Sequence, residues 1–360
     1  MSFLINRRRL MLATSSAVAA GALSSAAGRA ATNELRVVVG GGDFGKAFIE
    51  AYVKPFEAET GVKVIRITQN ITDAQVAMMV TSNSVSVDVG IIGDVDSLAS
   101  KGCLERIDYS IYKKEDLEGI IDGCKHPFGV GPYLVSLNMV YNTSKFPAGG
   151  QRPVTWADFW DVKKFPGARS LPTVTWGCWE EALLADGVPV DKLYPIDADR
   201  AFASLDKIKP HIRKWWGNGS EILQIMRDGV ADLAECFDGR AVFLIDQGAP
   251  IEINRNEAKL YWDYLVIPKG SPNAENAQKF IEFTLRSDRQ AAFAQLYPQA
   301  PSNRNAYKHL PETVGRKLCT YPEYMATSYF QNIKWYRETG SDGLTNGQRL
   351  LQRWNQWILK

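Results

Sequence analysis

Short apolar runs of strand length alternate with amphipathic segments along most of this chain. Near its beginning, strand-like residues 35–39, 62–67 and 87–92 are separated by segments with helical periodicity. The helix predicted over 46–60 has one apolar face and is followed by Gly61, a residue that commonly ends helices. Alternation of this kind predicts an α/β fold with a largely parallel sheet.

The same alternation resumes in the second half of the chain. We predict strands over 133–141, 170–174, 231–237 and 260–268, a helix over 220–228 capped by Ser220, and a helix over 274–285. A length of 360 residues is typical of about two domains, and no long flexible linker separates the halves. The sequence therefore predicts two α/β lobes joined by several crossing strands.

Residues 1–30 differ in composition from the rest of the chain. Three arginines, Arg7 to Arg9, precede a short segment rich in Ala, Ser, Thr and Gly, and small residues follow it. This is the pattern of a cleaved export signal, and adjacent arginines before apolar residues match the twin-arginine type. A general secretory signal is the alternative. The apolar stretch is shorter than the ~20 residues of a transmembrane helix.

The net charge changes when this signal is removed. The whole chain has 42 basic and 40 acidic residues, a formal charge of +2. Residues 1–30 contain four arginines and no acid, so the remaining chain carries about −2. Such a balance gives no support for binding nucleic acid, which usually needs a basic patch.

Five cysteines are present, at positions 103, 124, 178, 236 and 319. An exported protein meets an oxidising compartment, in which cysteines can pair. The number is odd, so at least one thiol is free, and no CxxC motif indicates zinc or redox chemistry. We predict Cys103–Cys124 as the preferred pair because the two are close in sequence.

A glycine-rich turn follows the first predicted strand. Residues 40–45 satisfy GxGxxG between a strand and a helix, the context of a dinucleotide site. The acid that such sites need after the second strand is missing, since that strand ends in Thr68, Gln69 and Asn70. An exported NAD(P)-dependent oxidoreductase is therefore an alternative function. A ligand-binding helix N-terminus, or a tight turn without a ligand, explains the same glycines.

Catalytic and metal-binding patterns are sparse, whereas aromatic residues are frequent. Three histidines lie in separate polar stretches, and no GxSxG or HExxH motif occurs. Several aromatic residues fall at predicted strand ends and loops: Trp176, Trp216, Phe237 and Tyr261. Two of them have an acid close by in sequence, Asp238 after Phe237 and Asp263 after Tyr261. Aromatic faces beside carboxylates suit an organic cation. Core packing is the alternative for each aromatic residue, and neither a catalytic residue, a cofactor nor a metal is predicted.

Several segments resemble the periplasmic solute-binding proteins of bacterial ABC importers, specifically the spermidine/putrescine-binding group. The resemblance covers nearly the whole chain after the signal. It is carried by residues 56–64 (FEAETGVKV), 154–160 (VTWADFW), 165–167 (FPG), 229–233 (GVADL), 237–240 (FDGR), 262–268 (WDYLVIP) and 276–283 (NAQKFIEF).

This resemblance implies a type II periplasmic-binding-protein fold. It has two mixed sheets flanked by helices, with a hinge and a ligand cleft between the lobes. Lobe 1 is expected over 31–134 and 262–306, and lobe 2 over 135–261 and 307–360. The resemblance further implies a soluble periplasmic monomer that delivers a small molecule to membrane permease subunits and does no chemistry.

Particular ligand contacts are implied as well. They are Asp43 and Phe44 after the first strand, Gly93 and Asp94 after the third, Phe237, Tyr261 and Asp263. Asp263 is the expected partner of a ligand ammonium group. The chain departs from polyamine binders in its glycine-rich first loop and in lacking an acid between Val174 and Gly177. The expected ligand is a polyamine or a related amine, with a monoamine, an amino-acid-like zwitterion and a sugar–amine conjugate as the alternatives.

Overall fold

The structure of the protein is a computed structural model that describes residues 33–173 and 177–360. The predicted export signal and Trp176 lie outside these residues. The chain forms two α/β lobes, as the sequence predicts.

Strands are numbered in chain order. They are β1 (Glu34–Val38), β2 (Lys63–Ile67), β3 (Gly90–Ile92), β4 (Lys125–His126), β5 (Gly129–Val130), β6 (Tyr133–Asn142), β7 (Arg169–Pro172), β8 (Ile212–Trp216), β9 (Leu233–Phe237), β10 (Ile251–Tyr261), β11 (Tyr264–Val266), β12 (Ala300–Pro301) and β13 (Tyr329–Phe330).

Helices are numbered in the same way. They are α1 (Gly42–Phe48), α2 (Lys54–Thr60), α3 (Asp73–Thr81), α4 (Val95–Ser100), α5 (Lys114–Gly119), α6 (Trp156–Trp160), α7 (Trp179–Ala185), α8 (Ala198–Ile208), α9 (Gly219–Arg227), α10 (Asp238–Asp246), α11 (Ala274–Leu285), α12 (Ser287–Leu296), α13 (Glu312–Gly315), α14 (Pro322–Met325), α15 (Ile333–Arg337) and α16 (Asn346–Trp357).

Lobe 1 is built on β1, β2 and β3 with the return strand β11. Strands β1 and β2 are parallel, and the Val38 amide donates to the Val89 carbonyl at 2.9 Å, which joins β1 to the residues before β3. Strand β11 runs antiparallel to β3 and β5, and β5 pairs with β4. Fully buried Val37, Phe48 and Phe280 lie in the core beneath this sheet.

Lobe 2 contains a larger mixed sheet, in which the strand order is β13-β10-β6-β9-β7-β8 and β12 pairs with β6. Strand β7 is parallel to β8 and β9, whereas β6 is antiparallel to β9 and β10. Buried Trp156, Phe159 and Leu171 pack in one core of this lobe. Both lobes are thus mixed sheets covered by helices.

The long antiparallel pair β6 and β10 connects the lobes. At one end, Leu134 and Leu260 belong to the core of lobe 1, whereas Val140 and Ile251 at the other end belong to a core of lobe 2. Only two residues, Trp262 and Asp263, separate β10 from β11, and the chain returns to lobe 1 through them. We propose the hinge at these crossings, and we extend lobe 1 to about residue 319, because Leu318 and Cys319 pack in its core.

Three predicted element boundaries are wrong. The expected strand over 260–268 is the end of β10 followed by β11, and the two lie in different sheets. Most of β10 was not predicted, because its charged residues and a register shift between Asn254 and Lys259 break the alternation of apolar and polar residues. Helical structure before Thr60 begins at Gly42, with a π-helical turn over Ile49–Val53 just before Pro55, which has no N–H. Asn218, not Ser220, caps α9.

The predicted Cys103–Cys124 disulfide is not formed. All five cysteines are free thiols and all are buried. Cys103 packs with Val95 and Leu98 in a small cluster beside α4, whereas Cys124 lies in the main core of lobe 1. Sequence proximity did not bring the two thiols together because each belongs to a different packed cluster.

Candidate ligand-binding site

Two adjoining cavities lie between the lobes. The larger, about 720 Å³, is lined from lobe 1 by residues 41–44 and from lobe 2 by α9 and α10. The smaller, about 250 Å³, includes Phe237, Asp238 and Tyr261. The two share Gly239, Arg240 and Tyr297, so they form one cleft that reaches the crossing strands at Val135 and Tyr261.

The loop after β1 contributes Asp43 and Phe44 to the lining of the larger cavity. The half-buried Phe44 ring packs edge-on against Tyr133, Tyr297 and Phe293 at centroid distances of 5.6, 5.7 and 5.5 Å. Asp43 is exposed and forms an ion pair with Lys46 at 2.9 Å. Phe44 is thus an aromatic wall, while the Asp43 carboxylate stands at the cleft mouth beside a basic side chain.

Backbone packing explains the glycines of this loop. A Cβ built at Gly45 would lie 2.3 Å from the carbonyl oxygen of Gly40, and Gly40 has φ of 73°. Both positions therefore need glycine for a tight strand-to-helix turn. No acid lies at the end of β2, where Thr68, Gln69 and Asn70 follow, to hold a ribose, so these residues do not fit a dinucleotide.

The wall from lobe 2 is formed where β9 ends and α10 begins. Phe237 lies in the cleft with Trp216 packed behind it at 5.4 Å. Trp216 is fully buried, so it supports Phe237 and does not line the cavity. Asp238 borders the smaller cavity, but its carboxylate is buried, accepts from the Ser136 amide at 3.3 Å and lies 3.9 Å from Arg255. Burial raises the pKa of Asp238.

Arg240 lines the cleft, although sequence reasoning did not single it out. It lies in the first turn of α10 and lines both cavities. A Cβ built at Gly219, the first residue of α9, would lie 3.1 Å from its Nε. No carboxylate among residues 33–173 and 177–360 pairs with this guanidinium. Its position three residues after Phe237, in the FDGR segment, was the available signal.

Asp263 lies at the crossing between β10 and β11, as does Tyr261. Its Oδ1 would be 3.5 Å from a Cβ built at Gly93, which brings together two predicted site residues. Within the described part of the chain, no side chain pairs with the Asp263 carboxylate. Burial raises its pKa, and the neighbouring charge of Asp73 adds to the effect. Asp263 in turn raises the pKa of Tyr261, although burial contributes more.

Asp94 differs from Asp263 because its charge is already balanced. Its side chain accepts from the Ser97 amide at 2.9 Å and so caps α4. It also forms an ion pair with Arg337 of lobe 2 at 3.1 Å. The expected residues thus fall into a cleft group, Asp43, Phe44, Phe237, Asp238 and Tyr261, and an adjoining group, Gly93, Asp94 and Asp263.

Two absences concern the described residues alone. Residues 33–173 and 177–360 contain no cluster of three or more His, Cys, Asp or Glu side chains able to hold a metal ion. Over the same ranges, no helix combines the length and the apolar character that crossing a bilayer requires.

Two lobes, a hinge of crossing strands and a polar, aromatic-lined cleft define a protein that encloses a small solute. The family model for bacterial extracellular solute-binding proteins matches residues 51–317. The chain belongs to this family.

Three relatives give further detail. The gamma-aminobutyric acid-binding protein of Pseudomonas aeruginosa is 31% identical, covering 94% of this chain and 95% of that protein. The spermidine/putrescine-binding periplasmic protein of Escherichia coli is 25% identical, covering 81% and 85%. A crystal structure of an ABC transporter from Rhodopseudomonas palustris is 33% identical with a TM-score of 0.75, covering 90% and 99%. The protein is thus the substrate-binding component of an ABC importer and works with permease subunits.

Proposed function

We propose that this protein captures a small zwitterion with separated ammonium and carboxylate groups, such as an ω-amino acid, and presents it to the permease without chemical change. The observation that carries the proposal is a pair of uncompensated charges. Arg240 lines the cleft from lobe 2, Asp263 lies two residues after Tyr261, which lines the smaller cavity, and neither charge is paired within the described residues.

Arg240 supplies the carboxylate end of this site. A guanidinium offers a planar fork of donors that matches a carboxylate with two parallel hydrogen bonds. The positive end of α9 begins at Gly219, beside the same guanidinium, and reinforces the attraction for an anion. An anionic group is therefore favoured next to Gly239 and Arg240.

Asp263 supplies the ammonium end. Its carboxylate is half-buried and lacks an internal cation, so a ligand ammonium would form a partly desolvated, charge-assisted hydrogen bond. Tyr261 and Phe237 line the smaller cavity together with Arg240 and offer aromatic faces to the ligand chain and its cation.

The expected polyamine fits this arrangement less well. A second ammonium would meet the guanidinium of Arg240, since like charges within the same desolvated cleft repel. Similarity points the same way, because the relative named for gamma-aminobutyric acid shares 31% of residues and that named for spermidine and putrescine shares 25%. We therefore favour the zwitterionic alternative of the sequence analysis.

A matched pair of ligands tests the proposal by titration calorimetry. 4-Aminobutanoate and putrescine share a four-carbon chain and differ in whether one end is a carboxylate or an ammonium. We expect 4-aminobutanoate to bind at least tenfold more tightly. Arg240→Gln should weaken this binding selectively, whereas Arg227→Gln, an arginine that lines only the larger cavity, should change it little.

Tighter binding of putrescine, or an unchanged dissociation constant in Arg240→Gln, would contradict the proposed zwitterion site. Asp263→Ala should weaken amine binding by about 2–5 kcal/mol if the pair is desolvated.

We further propose that the protein acts as a periplasmic monomer after loss of residues 1–30. Intact mass and light scattering of the exported protein test both points.

A further inference from the structure

One arginine of lobe 2 reaches across to lobe 1. Arg337, the last residue of α15, donates from Nη2 to the Gly93 carbonyl at 2.6 Å. Its Nη1 lies 3.1 Å from Oδ1 of Asp94 and 3.3 Å from Oδ2 of Asp96. A guanidinium with three acceptors on one opposing loop forms a directional contact, in contrast to an isolated surface ion pair.

The helix that carries Arg337 is anchored in lobe 2. The hydroxyl of the preceding Tyr336 donates to buried Glu180 at 2.7 Å. The Asn332 side chain accepts from the Trp335 amide at 3.0 Å, and Asn346 donates to the Trp335 carbonyl at 2.8 Å. Arg337 therefore transmits any force between the lobes into the body of lobe 2.

The loop that Arg337 contacts belongs to an acidic cluster on lobe 1, formed by Asp73, Asp94, Asp96 and Asp263. Burial raises the pKa of Asp73, and the charge of Asp94 adds to this, whereas Arg337 opposes it. His126 lies 3.1 Å from Oδ1 of Asp96. Among the described residues, Arg337 thus pairs with Asp94 and Asp96, whereas no ion pair joins Asp73 or Asp263 to a cation.

We infer that Arg337 is a built-in counter-ion that closes the two lobes on the Gly93–Asp96 segment by pairing with Asp94 and Asp96, and that it leaves Asp263, two residues after Tyr261 of the cleft, as the carboxylate for a ligand ammonium. The part of this inference that concerns the ligand rests on the proposed function. The contact of Arg337 with Gly93, Asp94 and Asp96, called the clasp below, does not. Arg337 supplies, from within the chain, the positive charge that a further ammonium of a polyamine would bring to Asp94 and Asp96. It is a specificity-determining residue that need not touch the ligand.

The clasp is tested on the ligand-free protein by small-angle scattering or by a fluorescence distance between one dye on each lobe. Arg337→Gln should shift the population toward open forms, and Arg337→Lys should retain part of the closed population. Arg353→Gln is the matched control, because Arg353 pairs with Asp199 within lobe 2. Identical distributions in wild type and Arg337→Gln would overturn the clasp.

Ligand choice is tested with the same two probes, 4-aminobutanoate and putrescine. Loss of closure lowers the apparent affinity for both ligands by the same factor, the fraction of protein able to close. The ratio of the two dissociation constants therefore reports only the effect of the Arg337 charge on ligand choice. We expect Arg337→Gln to move this ratio at least fivefold toward putrescine. An unchanged ratio in a protein that binds 4-aminobutanoate overturns the role in ligand choice. Failure of wild type to bind either probe overturns the proposed function instead, and the scattering comparison still decides the clasp.

Discussion

The ammonium nitrogen of Lys259 lies 3.0 Å from Oε2 of Glu181, and both side chains are fully buried. Glu180 and Glu235 approach the same nitrogen at 3.2 and 3.8 Å. Burial raises the pKa of Glu181 and raises that of Glu235 well above its ordinary value. For Glu180 burial acts in the same direction, but Lys259, Tyr194 and Tyr336 outweigh it and lower the pKa.

This network predicts unequal effects of two substitutions in the core of lobe 2. Lys259→Met leaves buried carboxylates without their cation and should cost about 3–5 kcal/mol of unfolding free energy. Glu235→Gln should cost less, since burial raises the pKa of this carboxyl well above its ordinary value, which favours the neutral form, and neither of its oxygens accepts a hydrogen bond from a described residue. Urea unfolding measures both, and equal losses would contradict the assigned charge states.

Asp263→Asn should exchange ligand affinity for stability. A raised pKa means that the folded protein favours the neutral acid, so stability from this group is present at low pH and is lost as pH rises through the raised pKa. The neutral amide should therefore raise the melting temperature of the ligand-free protein at pH 7 and leave it nearly unchanged at pH 3. Calorimetry at both pH values measures the change; a lower melting temperature at pH 7 would show that Asp263 is stabilised by its surroundings.

The affinity for an ammonium ligand should also depend on pH. Binding needs the charged carboxylate, so the dissociation constant of wild type should rise as pH falls through the raised pKa of Asp263. Asp73 faces the same carboxylate, and Tyr133 and Tyr261 lie within its field. Titrations from pH 8 to pH 4 test this, with Asp73→Asn shifting the midpoint toward lower pH.

Gly45→Ala should destabilise lobe 1, because its Cβ would overlap the Gly40 carbonyl. Overpacking of this kind costs about 1–3 kcal/mol. Gly41→Ala is the control in the same loop, where the nearest atom to a built Cβ is 3.7 Å away. Thermal unfolding compares the two, and similar melting temperatures would show that the turn relaxes freely.

The five thiols should react only after unfolding, because all are buried and unpaired. Burial raises the pKa of Cys124, Cys178, Cys236 and Cys319, which further lowers the reactive thiolate fraction. Iodoacetamide labelling with intact mass should give five additions in denaturant and none in the native protein over the same time. Fewer than five in denaturant would reveal a disulfide.

Several features of the fold were predictable from local patterns. Alternating strands and helices indicated two α/β lobes, Gly61 ends α2 with φ of 70°, and Ala274–Leu285 forms the predicted helix. These signals are local, since side-chain periodicity and backbone freedom act within a few residues. The break between β10 and β11 was not predicted, because Trp262 and Asp263 are not typical turn residues. The two strands are distinct only because they pair in different sheets.

The sequence by itself determined the fold class, the family resemblance and a set of aromatic and acidic residues from which a cleft could be built. Only the tertiary structure decided which of them share that cleft, because charge balance depends on partners far apart in the chain. Asp94 and Asp263 look alike in sequence, yet Arg337 neutralises the first and no described residue pairs with the second. Packing also decided the places of Arg240 and Trp216. The arginine, which was not predicted, lines the cleft, whereas the predicted Trp216 is buried behind Phe237.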